Sequence, residues 1–356
     1  MTQKRGLLER IDAGEAVIHA SGYLFEMERR GYLQAGGYVP EVVLEHPEVV
    51  EQLTREFARC GADVLLAFTY YGHREKMKLI GKEDLLEPLN KEALKIAHKI
   101  GAEFPDKLVA GNICNTNIYH ENDLEGQKQA RAIFEEQIGW IKDAGVDMIV
   151  GETFGQFGEA KIAVEEAKKA GLPIVIGLVL HGKKENLRDS NRHYVEDMKE
   201  LKDLGADVIG LNCHMGPQTM LPYLQKAGKE ITDGRIAGFP VAYRTTPVQP
   251  SFGSMKDRNL CCPERLPVEG ISFPVALDPF TVTRYEMADF AVKAVEAGAL
   301  YVGTCCGGAP HHIRAMAEAL GRTTEASKYS PDMSKHAYYG TDESLKDYNK
   351  EFRKEF

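Results

Sequence analysis

The sequence predicts an α/β protein whose core is a closed (β/α)8 TIM barrel, with a long excursion after the seventh strand and a C-terminal tail. Three observations carry this. First, a junction pattern recurs. Cys60-Gly61-Ala62-Asp63 precedes VLLAFTYY, Ala144-Gly145-Val146-Asp147 precedes MIVGETF, and Leu204-Gly205-Ala206-Asp207 precedes VIGLNCH. A looser copy, Ala297-Gly298-Ala299-Leu300, precedes YVGTCCG. Each copy follows helical periodicity, and glycine just past a helix end tolerates the left-handed backbone that stops it. Second, each junction opens a short apolar, β-branched run of the kind that forms a buried strand. Third, helix and strand alternate along the chain, which implies a parallel sheet.

The strand-like runs lie near 15–20, 63–71, 107–114, 147–154, 173–180, 207–214, 236–243 and 300–307. Helical stretches fall between most of them, at 46–59, 86–104, 124–143, 157–170, 195–203, 217–227 and 283–297, and a last one follows at 311–320. Eight such units suit a barrel. The competing architecture is an open doubly wound sheet. It is weakened because no G-x-G-x-x-G follows the first strand.

A barrel needs roughly 250 residues, and the chain has 356. Two segments exceed that need. Residues 244–281 carry six prolines and no clear helical period, and long loops on a barrel are often functional. The tail after 321 is polar and charged but includes Tyr338, Tyr339, Tyr348 and Phe352. The expected organisation is a catalytic barrel over 1–320 and a tail over 321–356 that packs on the barrel or on another copy.

Composition narrows the partners. Lys and Arg number 44 against 53 Asp and Glu, a formal charge of −9. That balance, without a basic block, argues against nucleic acid or an anionic membrane. No apolar run approaches the roughly 18–20 residues of a membrane span, and no signal-peptide pattern opens the chain. A cytoplasmic, reducing compartment is expected, so the seven cysteines do not read as a disulfide framework.

In a barrel, chemistry collects where strands end at their C-terminal face. Two predicted strand ends carry cysteine: Leu211-Asn212-Cys213-His214 on the sixth and Thr304-Cys305-Cys306-Gly307-Gly308 on the eighth. One strand separates them around the ring, so Cys213, Cys305 and Cys306 can converge. Three thiolates suit Zn2+ with its fourth position open. A single cysteine is more often a small buried apolar residue. A vicinal pair facing a third thiol favours the metal. Cys261 and Cys262 form a second pair beside Pro263, with no third cysteine placed to meet them, and read as loop thiols. Cys60, at a helix end, and Cys114, near a strand end, receive no role. A zinc held by three sulfurs is a weak Lewis acid but lowers the pKa of an incoming thiol. The residues alone therefore point to thiol alkylation.

Asn-Cys-His at 212–214 and Gly-x-Cys-Cys-Gly at 303–307 resemble the zinc motifs of the homocysteine S-methyltransferase family. LLERIDAGEAVI near the start, RRGYLQAGGYVPE at 29–41, EHPEVVEQLTREF at 45–57, FTYYGH at 68–73 and the stretch from VTRYEM to the final barrel helix at 282–320 look most like its betaine–homocysteine branch. The resemblance covers nearly the whole chain. It implies a (β/α)8 barrel, one zinc per subunit on Cys213, Cys305 and Cys306, homocysteine as acceptor, an onium compound as methyl donor, methionine as product, and a tail that joins subunits into a homo-oligomer.

Residue by residue, Glu152 matches the glutamate that holds the homocysteine ammonium. Gly22 falls at the end of the first strand, within the acceptor site. The N–H groups of Gly307 and Gly308, leading into a helix at Pro310, suit the amino acid's carboxylate. Tyr38 stands where the betaine enzymes carry a tryptophan, and Tyr71 matches their tyrosine. With Tyr70 these form an aromatic wall for a quaternary ammonium or sulfonium, worth about 0.5–2 kcal/mol per contact. Strand alternation should turn one or two of Phe68, Tyr70 and Tyr71 into the core instead. His214, His311 and His312 read as helix-start or packing residues, and His336 is not carried over.

Three departures bear on substrate. Ala20-Ser21-Gly22 replaces the family's Asp-Gly-Gly or Asp-Gly-Ala. Thr153 replaces a tyrosine that can occupy the zinc, and Tyr38 is smaller than tryptophan. Glycine betaine is the first expected donor; dimethylsulfoniopropionate or another small zwitterionic onium compound follows, as does another thiol acceptor. A zinc-binding homologue without turnover and an unrelated phosphate-handling barrel enzyme are the other classes; no lysine or phosphate-loop signature favours the latter.

Overall fold

Eight parallel strands close into a ring in strict sequence order in the computed structural model, which describes residues 4–182, 184–257, 266, 268 and 270–355. The strands are β1 (Val17–Ala20), β2 (Val64–Leu66), β3 (Leu108–Cys114), β4 (Met148–Phe154), β5 (Ile174–Leu178), β6 (Val208–Asn212), β7 (Ile236–Phe239) and β8 (Tyr301–Thr304). β8 pairs back onto β1, Val17 opposite Tyr301 through Ala20 opposite Thr304. The open-sheet alternative is thereby excluded.

The outer ring comprises α1 (Pro47–Arg59), α2 (Leu86–Glu103), α3 (Leu124–Ala144), α4 (Phe157–Lys168), α5 (Tyr194–Leu204), α6 (Pro217–Gly228), α7 (Arg284–Glu296) and α8 (Pro310–Ala319). Each lies within a few residues of its expected position. Shorter helices that the periodicity did not mark span Leu7–Asp12, Tyr23–Arg29 and Arg74–Leu79; too few turns carry a pattern there.

The recurrent junction has a structural reason in both of its fixed residues. Gly61, Gly145, Gly205 and Gly298 all have positive φ, which a side chain would strain. The aspartate two residues later staples the neighbouring strand at its entry. Asp63 accepts from the Ile18 N–H of β1 at 2.7 Å, Asp147 from Val109 of β3 at 2.7 Å, and Asp207 from Ile174 of β5 at 2.9 Å. Charge-assisted bonds of this kind are among the strong ones. They sit at the end of the barrel away from the cysteines, where a barrel keeps its stability rather than its chemistry.

The barrel interior is filled by side chains. His19 is fully buried, its Nδ1 lies 3.0 Å from the Tyr301 hydroxyl, and its ring meets Phe239 edge-on at 5.1 Å. Burial pushes its pKa down to about 3, so it is neutral packing. His312 at the start of α8 accepts the Ala309 N–H at Nδ1 (3.2 Å), and its Nε2 lies 3.0 Å from the Val282 carbonyl. That is the packing role expected of it. No described helix is long and apolar enough to cross a membrane.

Candidate metal centre and substrate cavity

β7 is the spacer that brings the thiols together. Its exit segment offers two consecutive carbonyls: Phe239 accepts the N–H of Cys213 at 3.1 Å, and Pro240 accepts the N–H of Cys305 at 2.8 Å. The residue after β6 and the residue after β8 are thus clamped to either side of one strand. Cys213 (φ 56°) and His214 (φ 52°) both take the left-handed backbone, a strained choice that clusters at functional sites. Cys213 Sγ lies 3.7 Å from Cys306 Sγ, Cys305 Sγ lies 4.0 Å from Cys306 Sγ, and all three fall within 4.8 Å of one another. A tetrahedral zinc with bonds of about 2.3 Å would space its sulfurs about 3.8 Å apart. The donor set therefore fits.

The thiols also need a cation to hold more than one charge. Hydrogen bonds from Cys305 and Cys306 hold the Cys213 thiol well below its usual range, and the same bonds push the other two up. Asn212 supports the cluster from the side. Its Nδ2 reaches Cys305 Sγ at 3.8 Å and donates to Thr153 Oγ1 at 3.1 Å, while its Oδ1 accepts the Thr153 N–H at 2.9 Å. Thr153 has φ 67°, and this bracket from Asn212 holds it there.

Glu152, two residues before the end of β4, is almost wholly buried. Ser21 donates to its Oε2 and Asn112 to its Oε1, both at 2.8 Å. Burial first, and then Cys305, raises its pKa to about 8 despite those bonds. Such a carboxyl ionises readily when an ammonium arrives. Ser21, from the segment that departs from the family pattern, thus bonds to the glutamate directly. Gly22 approaches the backbone so closely that a Cβ there would stand 2.0 Å from the Gly308 carbonyl. Its visible role is this close contact. The Gly308 N–H donates to Cys305 O at 2.9 Å, within its own loop. Gly307 has φ 77° beside the Tyr243 ring.

Cys213 and Cys306 open into a cavity of about 710 Å3, also lined by Phe25, Tyr38, Tyr70, Tyr71, Phe252 and Phe273. Phe68 goes to the core instead, stacked on Tyr23 at 5.3 Å. Tyr70 and Tyr71 both reach the cavity because β2 stops at Leu66 and Tyr71 takes φ 62°; alternation no longer applies. The buried Cys114 thiol accepts the Tyr71 N–H at 3.3 Å, which gives that cysteine a place. Lys76 holds its ammonium 4.0 Å from the centre of the Tyr71 ring. Tyr38 (φ 54°) carries a buried hydroxyl without a partner among the described residues. Among the described residues, six non-glycine positions have positive φ, namely Tyr38, Tyr71, Asn117, Thr153, Cys213 and His214, and all six line this cavity.

The Homocysteine S-methyltransferase family profile matches residues 18–320. The chain belongs to the homocysteine S-methyltransferase family. The chain is 34% identical over 346 residues to the betaine–homocysteine S-methyltransferase 1 of Xenopus tropicalis, covering 95% of this chain and 80% of that one. It is 33% identical over 338 residues to the S-methylmethionine–homocysteine S-methyltransferase of Mus musculus, covering 95% and 87%. The metallated form of the Escherichia coli homocysteine methyltransferase MmuM shares the fold, with a TM-score of 0.65 and 18% identity over 85% of this chain and 96% of that one.

As a homocysteine S-methyltransferase the chain is a methyltransferase enzyme, and several of its cavity residues carried no signal in the sequence. Phe252 and Phe273 come from the excursion; they meet at 5.1 Å and approach Phe25 at 6.0 and 6.4 Å. The proline count marked the excursion, but nothing local marked which of its residues turn inward. His214, read as packing, lines the cavity instead. Its backbone strain carries it there, with Nδ1 3.3 Å from Ser251 Oγ and its ring edge-on to His181 at 5.0 Å. Burial lowers its pKa to about 4. Cys261 and Cys262 lie outside the described residues.

Proposed function

We propose that this enzyme is a zinc-dependent S-methyltransferase that carries a methyl group from a small onium donor, glycine betaine first, to homocysteine. The products are methionine and the demethylated donor. The observation that carries the reading is the three-thiol cluster, spaced for tetrahedral zinc, whose Cys213 and Cys306 face an aromatic-walled cavity. Bound there, zinc supplies the means to keep the acceptor's thiol ionised at neutral pH. Glu152 is placed to pair with the acceptor's ammonium. The aromatic walls hold the onium head, and the excursion's Phe252 and Phe273 exclude water. The acceptor sulfur forms the new bond to the methyl carbon as the carbon–nitrogen bond breaks, and the electron pair stays on the donor nitrogen. The thiol proton passes to solvent. No side-chain base is needed; proximity and thiolate formation supply the rate.

A second reading keeps the chemistry and changes the donor to a sulfonium such as dimethylsulfoniopropionate or S-methylmethionine. Tyr38, smaller than the indole of the betaine branch, favours it. Methionine formation from homocysteine with glycine betaine, dimethylsulfoniopropionate and S-methylmethionine separates the two. No methionine with any of them, at full zinc occupancy, would leave a metal-binding homologue without turnover.

The wall is tested by Tyr71→Leu, which keeps apolar bulk and removes the ring quadrupole. A loss of about 1–2 kcal/mol is expected, roughly 5–30-fold in kcat/KM for the donor, with zinc content unchanged. An unaltered donor kcat/KM would remove Tyr71 from the donor site.

We also propose a cytoplasmic homo-oligomer joined through the tail. Tyr329, Met333, Tyr339 and Tyr348 are each more than half exposed, apolar surface that contact with another copy would cover. Light scattering should show a multimer that deletion of 330–356 disrupts. A monomer unchanged by the deletion refutes this.

A further inference from the structure

The cavity has two chemically distinct halves. The phenylalanines, and the tyrosines other than Tyr119, come from the segments after β1, β2 and β7. A polar half comes from the loops after β3, β4 and β5, including Asn115, Asn117, Gln156 and His181. β5 lies four strands from β1 in either direction around the ring. The two halves therefore face each other across the mouth. The loop after β5 brings Arg188 to the cavity, and among the described lining residues it is the one permanent cation.

Arg188 is exposed, yet its backbone is pinned. Leu187 before it is fully buried. Its own N–H donates to Gly155 O at 3.0 Å. Asp189 after it accepts the N–H groups of Phe157 and Gly158, the latter at 2.8 Å, and so anchors the loop to the start of α4. The guanidinium is aimed as well, because its Nη2 lies 3.3 Å from His181 Nδ1. His181 in turn meets His214, the neighbour of Cys213. Among the described residues no carboxylate pairs with Arg188. The cavity carboxylates nearest in the chain are already engaged: Asp189 as above, and Glu159 with the N–H and hydroxyl of Thr116 at 2.7 and 2.6 Å. An arginine fork has five donors, and most of this one stay available to a ligand.

We propose that Arg188 anchors the carboxylate end of the methyl donor, so that the cavity selects zwitterionic onium compounds over onium compounds without an acid group. The onium head lies against the aromatic half and the acid reaches the polar half, with His181 as the residue that positions the guanidinium. Of the described lining residues Arg188 alone carries a permanent positive charge, while Glu121, Glu159 and Asp189 disfavour an acid elsewhere in the polar half; Lys76, on the Tyr71 ring, is not among the lining residues. This rests on the proposed methyl transfer, deepens it by fixing the donor's charge pattern, and is tested apart from it.

Binding to the zinc-loaded protein is measured by calorimetry for two matched pairs: glycine betaine against choline, and dimethylsulfoniopropionate against ethyldimethylsulfonium. At least one acid-bearing compound should bind the unmodified enzyme roughly 10- to 100-fold more tightly than its partner, the range of a charge-assisted hydrogen bond. Arg188→Gln should erase that preference and leave the acid-free compounds unchanged. Arg188→Lys should restore part of it. The KM for homocysteine should stay within about twofold in both variants. Either no preference in the unmodified enzyme or a preference that survives Arg188→Gln overturns the proposal. So does a rise in homocysteine KM with donor binding unaltered, which would give Arg188 to the acceptor. Methionine formation by the unmodified enzyme is scored separately; its absence alone defeats the methyl-transfer reading and leaves the binding result to decide Arg188.

Discussion

Alanine at Cys213, Cys305 or Cys306 is expected to remove the metal and methyl transfer together. The three sulfurs lie within 4.8 Å of one another and supply every ligand the cluster offers. Loss of a single partner outside a metal's ligand set already costs about 10- to 100-fold in affinity, and loss of a ligand costs more. The effect on rate follows from the acceptor's thiol. With a pKa of about 8.5 it is only about 3% ionised at pH 7, so losing thiolate formation costs roughly 30-fold before any loss of positioning. Metal analysis and methionine formation on the same samples make the test. Circular dichroism should stay unchanged, because the side chain removed is small and sits at the barrel's mouth. Zinc retained in full by all three variants would sink the assignment. Cys261→Ser and Cys262→Ser serve as controls and should keep both metal and turnover.

Glu152→Gln carries the second largest expected effect, and it should fall on the acceptor alone. The carboxyl is buried, with Ser21 and Asn112 each donating to one oxygen at 2.8 Å. An ammonium entering this site exchanges water for that carboxylate. Removing the charge from one side of a buried pair costs about 3 kcal/mol, roughly 150-fold in kcat/KM for homocysteine. Glutamine has nearly the same shape, so packing and zinc content should persist. The specific control is 4-mercaptobutyrate, which has the same thiol chain and no amino group. The unmodified enzyme and the variant should methylate it equally, because the interaction removed is absent in both. An unchanged kcat/KM for homocysteine would take Glu152 out of the acceptor site.

The legible parts of the molecule share one property: their signals are local. A glycine that ends a helix and an apolar run that begins a strand announce themselves within ten residues, and four such junctions were enough to place the alternation. The cysteines were legible for a related reason. Each sits one or two residues past a strand, and a parallel barrel brings all strand ends to one rim. The aspartates of the junctions were visible as a pattern but not as staples, since each bonds to a strand at least 33 residues earlier in the chain.

By itself, then, the sequence determined the eight-fold alternation, the three thiols at two strand ends and the acidic balance of the chain. These follow from backbone period and residue chemistry, which need no knowledge of where the chain goes next. Only the tertiary structure decided that Tyr70 and Tyr71 share a cavity while Phe68 does not, that Phe252 and Phe273 return from the excursion to join Phe25, that His214 leaves the packing role, and that Arg188 lines the same cavity. The physical reason is that these placements depend on left-handed backbone at residues with side chains and on loop paths pinned by single hydrogen bonds. Asn212 and Cys305, 93 residues apart, meet only because β7 runs between their strands.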